Sequence, residues 1–232
     1  MTPKIIPKII HQIWIGPNKE PTKWTNTLKI DYLAEYPHYK YKLWNETNID
    51  ELFVDFPNIK MIYDLEQTWN GKSDLLRYLI LYHYGGIYID ADSVWLNNKN
   101  FDELIDNSCG FFAAKEDSHE LVGGVIGTYK NNEVFLKILK YIESYIISKS
   151  GAIRTKYYVN KRKSLGVCKL IGPVIFNRFA KNEEITIFPT HYFYPISWHG
   201  ITDSEYHLKN DMPKDSFLFQ YGYSTNNFNL KL

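Results

Sequence analysis

The chain has 232 residues, 44% apolar and 23% charged, with a formal net charge of +1. Those proportions are ordinary for a globular domain and exclude a disordered or fibrous class, and the near-neutral balance without a long Lys/Arg run excludes binding to a nucleic-acid backbone. Cys109 and Cys168 have no CxxC partner, which argues against a metal cluster or a disulfide framework.

No stretch has the length of a membrane span or the form of a signal peptide, so a reducing cytoplasm is the expected compartment. The 19 Tyr, 13 Phe and 6 Trp suit sugar and base recognition, although abundant Ile, Lys and Asn point to A/T-rich codons as the first explanation.

In chain order, Lys8 to Ile15 is an apolar run of strand length closed by Gly16-Pro17, read as a buried strand in mid-sheet. Pro21 to Tyr36 carries Trp24, Leu28 and Leu33 at roughly helical spacing, and Tyr39 to Trp44 alternates as a strand does. A helix is expected over Thr47 to Phe56, stopped by Pro57, with a polar approach from Asp64 to Asn70. Ser73 or Asp74 is read as the cap of a helix running to Tyr84, which Gly85-Gly86 ends. Ile87 to Ile89 is a short strand leading into Asp90-Ala91-Asp92.

Further strands are expected at Phe111 to Ala114 and Val122 to Tyr129, followed by an amphipathic helix from Asn132 to about Ile147. Lys149 to Lys169, basic and poor in apolar residues, reads as a surface loop that could serve as a lid. Gly172-Pro173 opens a helix to Lys181, Ile185 to Phe188 is a strand, and the tail is aromatic and rich in turns. Alternating strands and helices imply an α/β architecture with a largely parallel sheet and ligands at the carboxyl ends of its strands.

Asp-Ala-Asp alone is a weak motif, and two carboxylates capping a solvated turn would explain it. Its setting is more informative, because a strand delivers both carboxylates to a sheet end, where Mn²⁺ or Mg²⁺ can take them together with substrate phosphates. Asp74 and Arg77, three residues apart, share one helical face and offer an acceptor and a planar donor to one small ligand. A surface ion pair is the plainer reading of that spacing. Trp14 by itself reads as core, and His11 as a satisfied core histidine rather than a ligand contact.

The run Ser73-Asp-Leu-Leu-Arg-Tyr-Leu-Ile-Leu-Tyr-His-Tyr-Gly-Gly-Ile-Tyr-Ile-Asp-Ala-Asp92 resembles the signature of the D-x-D sugar-binding glycosyltransferases of family 32. That family includes yeast mannosyltransferases and bacterial capsule and lipo-oligosaccharide enzymes. Ile6-Pro-Lys-Ile-Ile-His-Gln-Ile-Trp-Ile-Gly16 resembles its first strand and Tyr39 to Trp44 its second. The resemblance covers residues 6 to 96 and extends distantly to the glucosyltransferase domains of clostridial toxins.

It implies a GT-A type nucleotide-sugar transferase fold, a mixed, mostly parallel sheet flanked by helices, with retention of configuration and a divalent metal, usually manganese. It also implies roles for individual residues. Trp14 and Ile13 would contact the base, Ser73, Tyr88 and Ala91 would line the donor pocket, and Asp74 and Arg77 would hold the sugar. Asp90 would engage ribose, sugar or a metal-bound water, and Asp92 would ligate the metal; Asp74, Arg77 and Asp92 form the catalytic set.

Family members commonly end in a His-containing strand and a Trp-rich loop. Here Phe217-Leu-Phe-Gln-Tyr-Gly-Tyr-Ser224 places Gln220 where that His is expected. Trp198 and His199 are read either as the closing loop or as an aromatic turn on the core. Residues 1–232 then form one domain, with 1–130 the donor-binding core and 131–232 the acceptor-side and closing segment. The expected partners are a nucleotide-sugar donor, a UDP-sugar ahead of GDP-mannose, and a glycan or other hydroxyl acceptor. A metal-dependent phosphohydrolase and a catalytically silent nucleotide-sugar-binding domain are the competing readings.

Overall fold

The structure, a computed structural model, describes residues 4–98, 100–115, 121–147, 151–197, 199–224, 226 and 228. Its main sheet has six strands in the order β2-β1-β3-β6-β5-β7: β1 Ile9–Ile13, β2 Lys40–Trp44, β3 Gly86–Ile89, β5 Phe111–Lys115, β6 Leu121–Thr128 and β7 Thr186–Phe188. Neighbouring pairs are parallel except those made by β6, which runs antiparallel between β3 and β5. A separate antiparallel ribbon joins β4, Ser93–Trp95, to β8, Leu218–Gln220.

The helices are α1 Thr22–Asn26, α2 Leu33–Glu35, α3 Pro57–Leu65, α4 Trp69–Tyr84 and α5 Phe101–Asp106, then α6 Glu133–Ile147, α7 Gly151–Leu170, α8 Pro173–Ala180, α9 Thr190–Phe193 and α10 Tyr206–Lys209. A π-helical stretch, Thr27–Tyr32, joins α1 to α2.

Alternation along the strands builds a core on each face of the sheet. Tyr88, Phe111, Ala113 and Ile126 pack with residues of α3, α4, α6, α7 and α8. Ile87, Ile89, Phe112, Ala114 and Val125 turn the other way, toward Leu28, Tyr32, Phe101 and Phe193. The first strand lies between two neighbours, as its continuous apolar run implies. Among the described residues, no helix is long and apolar enough to cross a membrane.

Four expectations are corrected. Of Thr47 to Phe56, only Asp50–Phe53 forms a short 3-10 helix. Pro57 opens α3 rather than closing a helix, because a missing N–H costs nothing in a first turn. α4 starts at Trp69, where the Thr68 hydroxyl accepts from Gly71 N at 3.3 Å, so Ser73 and Asp74 lie inside the helix instead of capping it. Of the basic segment, residues 149 and 150 lie outside the described residues and Gly151–Leu170 is a helix, α7, broken only at Gly166 with φ 75° and ψ 164°; among its described side chains Tyr158 and Leu170 are buried and the rest are half-buried or exposed.

Candidate functional site

β3 ends at Ile89, and Asp90, Ala91 and Asp92 follow as a turn at the carboxyl ends of the parallel strands. Because β6 is antiparallel, its amino-terminal residues Val122, Gly123 and Gly124 arrive at the same sheet end. The Asp90 amide donates to the Gly124 carbonyl at 2.8 Å, and Gln12 Nε2 donates to the Asp90 carbonyl at 3.1 Å, fixing the turn on both sides. These elements border a cleft of about 670 Å³.

Asp74 and Arg77 reach the cleft from α4, and both are buried. Arg77 Nη1 donates to Asp74 Oδ1 at 2.8 Å and Nη2 donates to Asp90 Oδ1 at 3.0 Å. The guanidinium lies 4.6 Å from the Tyr88 ring centroid, and the Tyr88 hydroxyl donates to the same Asp90 oxygen at 2.7 Å. Gly85, with φ 63°, ends α4 and permits the immediate return into β3, which brings Arg77 over Asp90.

Gln220 from β8 completes the carboxylate pair. Its Nε2 donates to Asp90 Oδ2 at 2.9 Å and lies 3.5 Å from Asp92 Oδ1. The Tyr223 amide donates to Asp92 Oδ2 at 2.6 Å. Burial, and then the Asp90 charge beside it, push the Asp92 carboxyl up to about 7. Burial also lifts Asp74 to about 7 against the pull of Arg77.

A divalent cation fits these groups. Two half-buried carboxylates of like charge gain from a cation between them, and Gln220 presents an oxygen in place of its NH₂ when the amide turns over. Among the described residues no third His, Cys, Asp or Glu joins the pair, so a cation needs oxygens from its substrate.

At the other end of the cleft, Trp14 is half-buried; its Nε1 donates to the Asn18 carbonyl at 2.9 Å and its ring meets Tyr223 edge-on at 5.0 Å. Ile13, Ser73 and Ala91 also line the cleft. His11 is core: Trp44 Nε1 donates to its Nδ1 and its Nε2 meets the Gly85 carbonyl, both at 3.1 Å, and burial lowers its pKa to about 3.

Ile13, Trp14, Ser73, Asp74, Arg77, Tyr88, Asp90, Ala91, Asp92 and Gln220 therefore share one cleft. His199 is on an exposed turn and is not among the cleft-lining residues, and Trp198 lies outside the described residues. Sequence reasoning missed Asn18, Trp69, Gly123, Gly124, Val167, Cys168 and Tyr194, all of which line the cleft. Two successive glycines in a strand were the available signal, since such a pair marks a close approach.

Residues 17–111 match the family model described as a glycosyltransferase sugar-binding region containing the DXD motif. Inositol phosphoceramide mannosyltransferase 3 of Schizosaccharomyces pombe is 30% identical over 60% of this chain and 38% of its own length. The chain spans well under two thirds of the length of the curated relatives it matches first. Among solved structures, the PaToxG glycosyltransferase superposes with a TM-score of 0.54 at 23% identity, covering 77% of this chain and 70% of that one. The UDP-bound glycosyltransferase domain of the YGT toxin gives 0.52 at 11% identity, with 80% of each chain covered. The fold is thus that of the GT-A type glycosyltransferases.

Proposed function

Residues 17–111 match the sugar-binding region of the DXD glycosyltransferases, and on that premise we propose that this chain transfers a hexose or N-acetylhexosamine from a nucleotide diphosphate sugar to a hydroxyl acceptor. The observation that carries this reading is the convergence of Asp74, Arg77, Asp90 and Asp92, from a helix and a strand end, on one cleft. Residues 1–130 supply its donor side, and residues 131–232 the acceptor side and the closing segment through Gln220 and Tyr223.

Trp14 and Ile13 border the base. None of the described residues lining that end, among them Pro17, Asn18, Gln67 and Asn70, carries a carboxylate. Guanine would present adjacent N–H donors that suit a carboxylate, whereas the single N–H of uracil between two carbonyls suits amides, which supports a UDP-sugar ahead of GDP-mannose.

Ser73 and Tyr88 shape the pocket, and Asp74 with Arg77 holds the sugar hydroxyls. Asp90 and Asp92, with Gln220, would hold Mn²⁺ or Mg²⁺, which when bound supplies Lewis-acid stabilisation for a departing diphosphate. Asp74 is the one described lining carboxylate beyond the D-x-D pair, and its bond to Arg77 suits it to fix hydroxyls rather than attack the anomeric carbon. Front-face attack by the acceptor, with retention of configuration, accords with that arrangement.

The test supplies UDP-sugars and GDP-mannose with Mn²⁺, with Mg²⁺ or with a chelator and measures nucleotide release. Release from a UDP-sugar that requires the divalent ion is expected, and Asp92→Asn should lower it by about 100-fold or more with an unchanged circular dichroism spectrum. Near-normal turnover in Asp92→Asn would reject the assignment. Donor binding without turnover in the natural chain would favour a silent domain.

A further inference from the structure

Glu66 precedes α4, and its side chain is wholly buried, yet it is not among the cleft-lining residues. Its carboxylate accepts Arg162 Nε at 2.7 Å and Arg162 Nη2 at 3.1 Å from α7. It also accepts the Tyr158 hydroxyl at 3.1 Å, the Thr68 amide at 2.9 Å and the Thr68 hydroxyl at 2.6 Å. An apolar replacement of a buried ion pair is often no less stable, so position rather than stability is the use to look for here.

Val167 and Cys168, just beyond the break at Gly166, line the cleft. A Cβ added to Gly71 would stand 2.7 Å from Val167 Cγ2 and 2.8 Å from Glu66 Cδ, so the clasp and the cleft wall meet on one glycine of α4. The amides of Ile171 and Gly172 both donate to the Val167 carbonyl at 3.0 Å, closing a turn, and the Tyr78 hydroxyl donates to the Gly172 carbonyl at 3.1 Å. A Cβ on Gly172 would lie 2.9 Å from Cys168 Cα and 3.0 Å from Asp74 Oδ2. The turn is pressed against the carboxylate assigned to the sugar.

We propose that Arg162 is a positioning residue: through Glu66 it holds the 167–172 turn against Asp74 and thereby sets affinity for the sugar half of the donor. The clasp stands on geometry alone, and its effect on the donor rests on the glycosyltransferase reading. Arg162→Ala releases the clasp, and Arg162→Lys keeps the charge without the two-pronged contact.

Hydrogen exchange on the full chain without ligand tests the first half. The Ile171 and Gly172 amides should exchange about tenfold faster or more in Arg162→Ala, with a smaller effect in Arg162→Lys, while the Leu79 to Leu81 amides of α4 keep their rates. Unchanged exchange in the turn, or equal acceleration in α4, overturns the proposal.

Calorimetric binding of UDP-glucose and of UDP tests the second half. Arg162→Ala should weaken UDP-glucose by about tenfold, close to 1.4 kcal/mol, and UDP by less than about twofold. Equal losses for both ligands overturn the positioning role. If the natural chain binds neither ligand while the turn loosens as described, the donor reading falls and the clasp stands.

Discussion

Gly123 and Gly124 are neighbours in β6, and each leaves space that a different part of the site fills. A Cβ on Gly123 would come within 2.2 Å of Arg77 Nη1, and one on Gly124 would meet Tyr194 Oη at 2.8 Å, Asp90 Oδ2 at 3.0 Å and Gln220 Oε1 at 3.1 Å. Successive strand residues face opposite ways, so the pair admits the Arg77 guanidinium on one side and the Asp90–Gln220 contact on the other. Gly123→Ala must displace Arg77 and break its bonds to Asp74 and Asp90. The expected result is a loss of about 1–3 kcal/mol in urea unfolding together with a raised donor KM. Gly127→Ala, which would meet Phe112 Cε1 at 2.0 Å in the core, should cost stability with less effect on KM; equal KM effects in the two variants would count against the role given to Gly123.

At the scale of elements, α4 carries both sugar-site residues, so its first turn sets their height in the cleft. The Thr68 hydroxyl accepts from the Gly71 amide and donates to Glu66, joining cap and clasp. Thr68→Ala should lower stability by about 1–2 kcal/mol and Thr68→Ser should restore most of it, measured by urea midpoint. That cap was not legible in the sequence, where Ser73 and Asp74 offered stronger capping chemistry nearer the apolar run. β1, β2, β3, β5 and β6 were legible because each is a short apolar or alternating run bounded by turn residues. β7 was legible in the same way, at Ile185 to Phe188; β4 was not, because it exists only through its pairing with β8, and the β8 stretch was marked only through the resemblance of Phe217 to Ser224 to a closing strand. α7 was misread for a related reason: its helical state is supported by Glu66, a partner 96 residues away. Within the site, the D-x-D pair, Asp74 and Arg77 were legible through their setting, and Gln220 was placed by β8 pairing with β4. Val167 and Cys168 reach the cleft only through the tertiary placement of α7, which local pattern does not encode.

For the whole molecule, carboxyls in the cleft and His11 in the core give stability two opposed responses to acid. Desolvation pushes the Asp74 and Asp92 carboxyls up to about 7 in the folded chain, against an ordinary value of 3.8. The folded chain therefore takes up their protons first, and stability rises as pH falls from about 7 toward 3.8. His11 has a folded value of about 3 against 6.5, so the unfolded chain binds its proton first and stability falls as pH drops below 6.5. At pH 5 each group contributes on the order of 2 kcal/mol, with opposite signs for the carboxyls and the imidazole. Removing one group tilts the balance in a defined direction. Asp92→Asn deletes a gain on acidification, so its stability should fall more, or rise less, between pH 7 and pH 5 than that of the natural chain. It should also be the more stable protein at pH 7, since an amide can still accept from Tyr223 without carrying a buried charge. His11→Gln deletes a loss and should tilt the other way, although its absolute stability is lowered where the Trp44 and Gly85 contacts are remade imperfectly. Urea midpoints of the three proteins at pH 7 and pH 5, without metal or nucleotide, measure both slopes, and parallel profiles would remove the assignment of these groups as the source of the pH response.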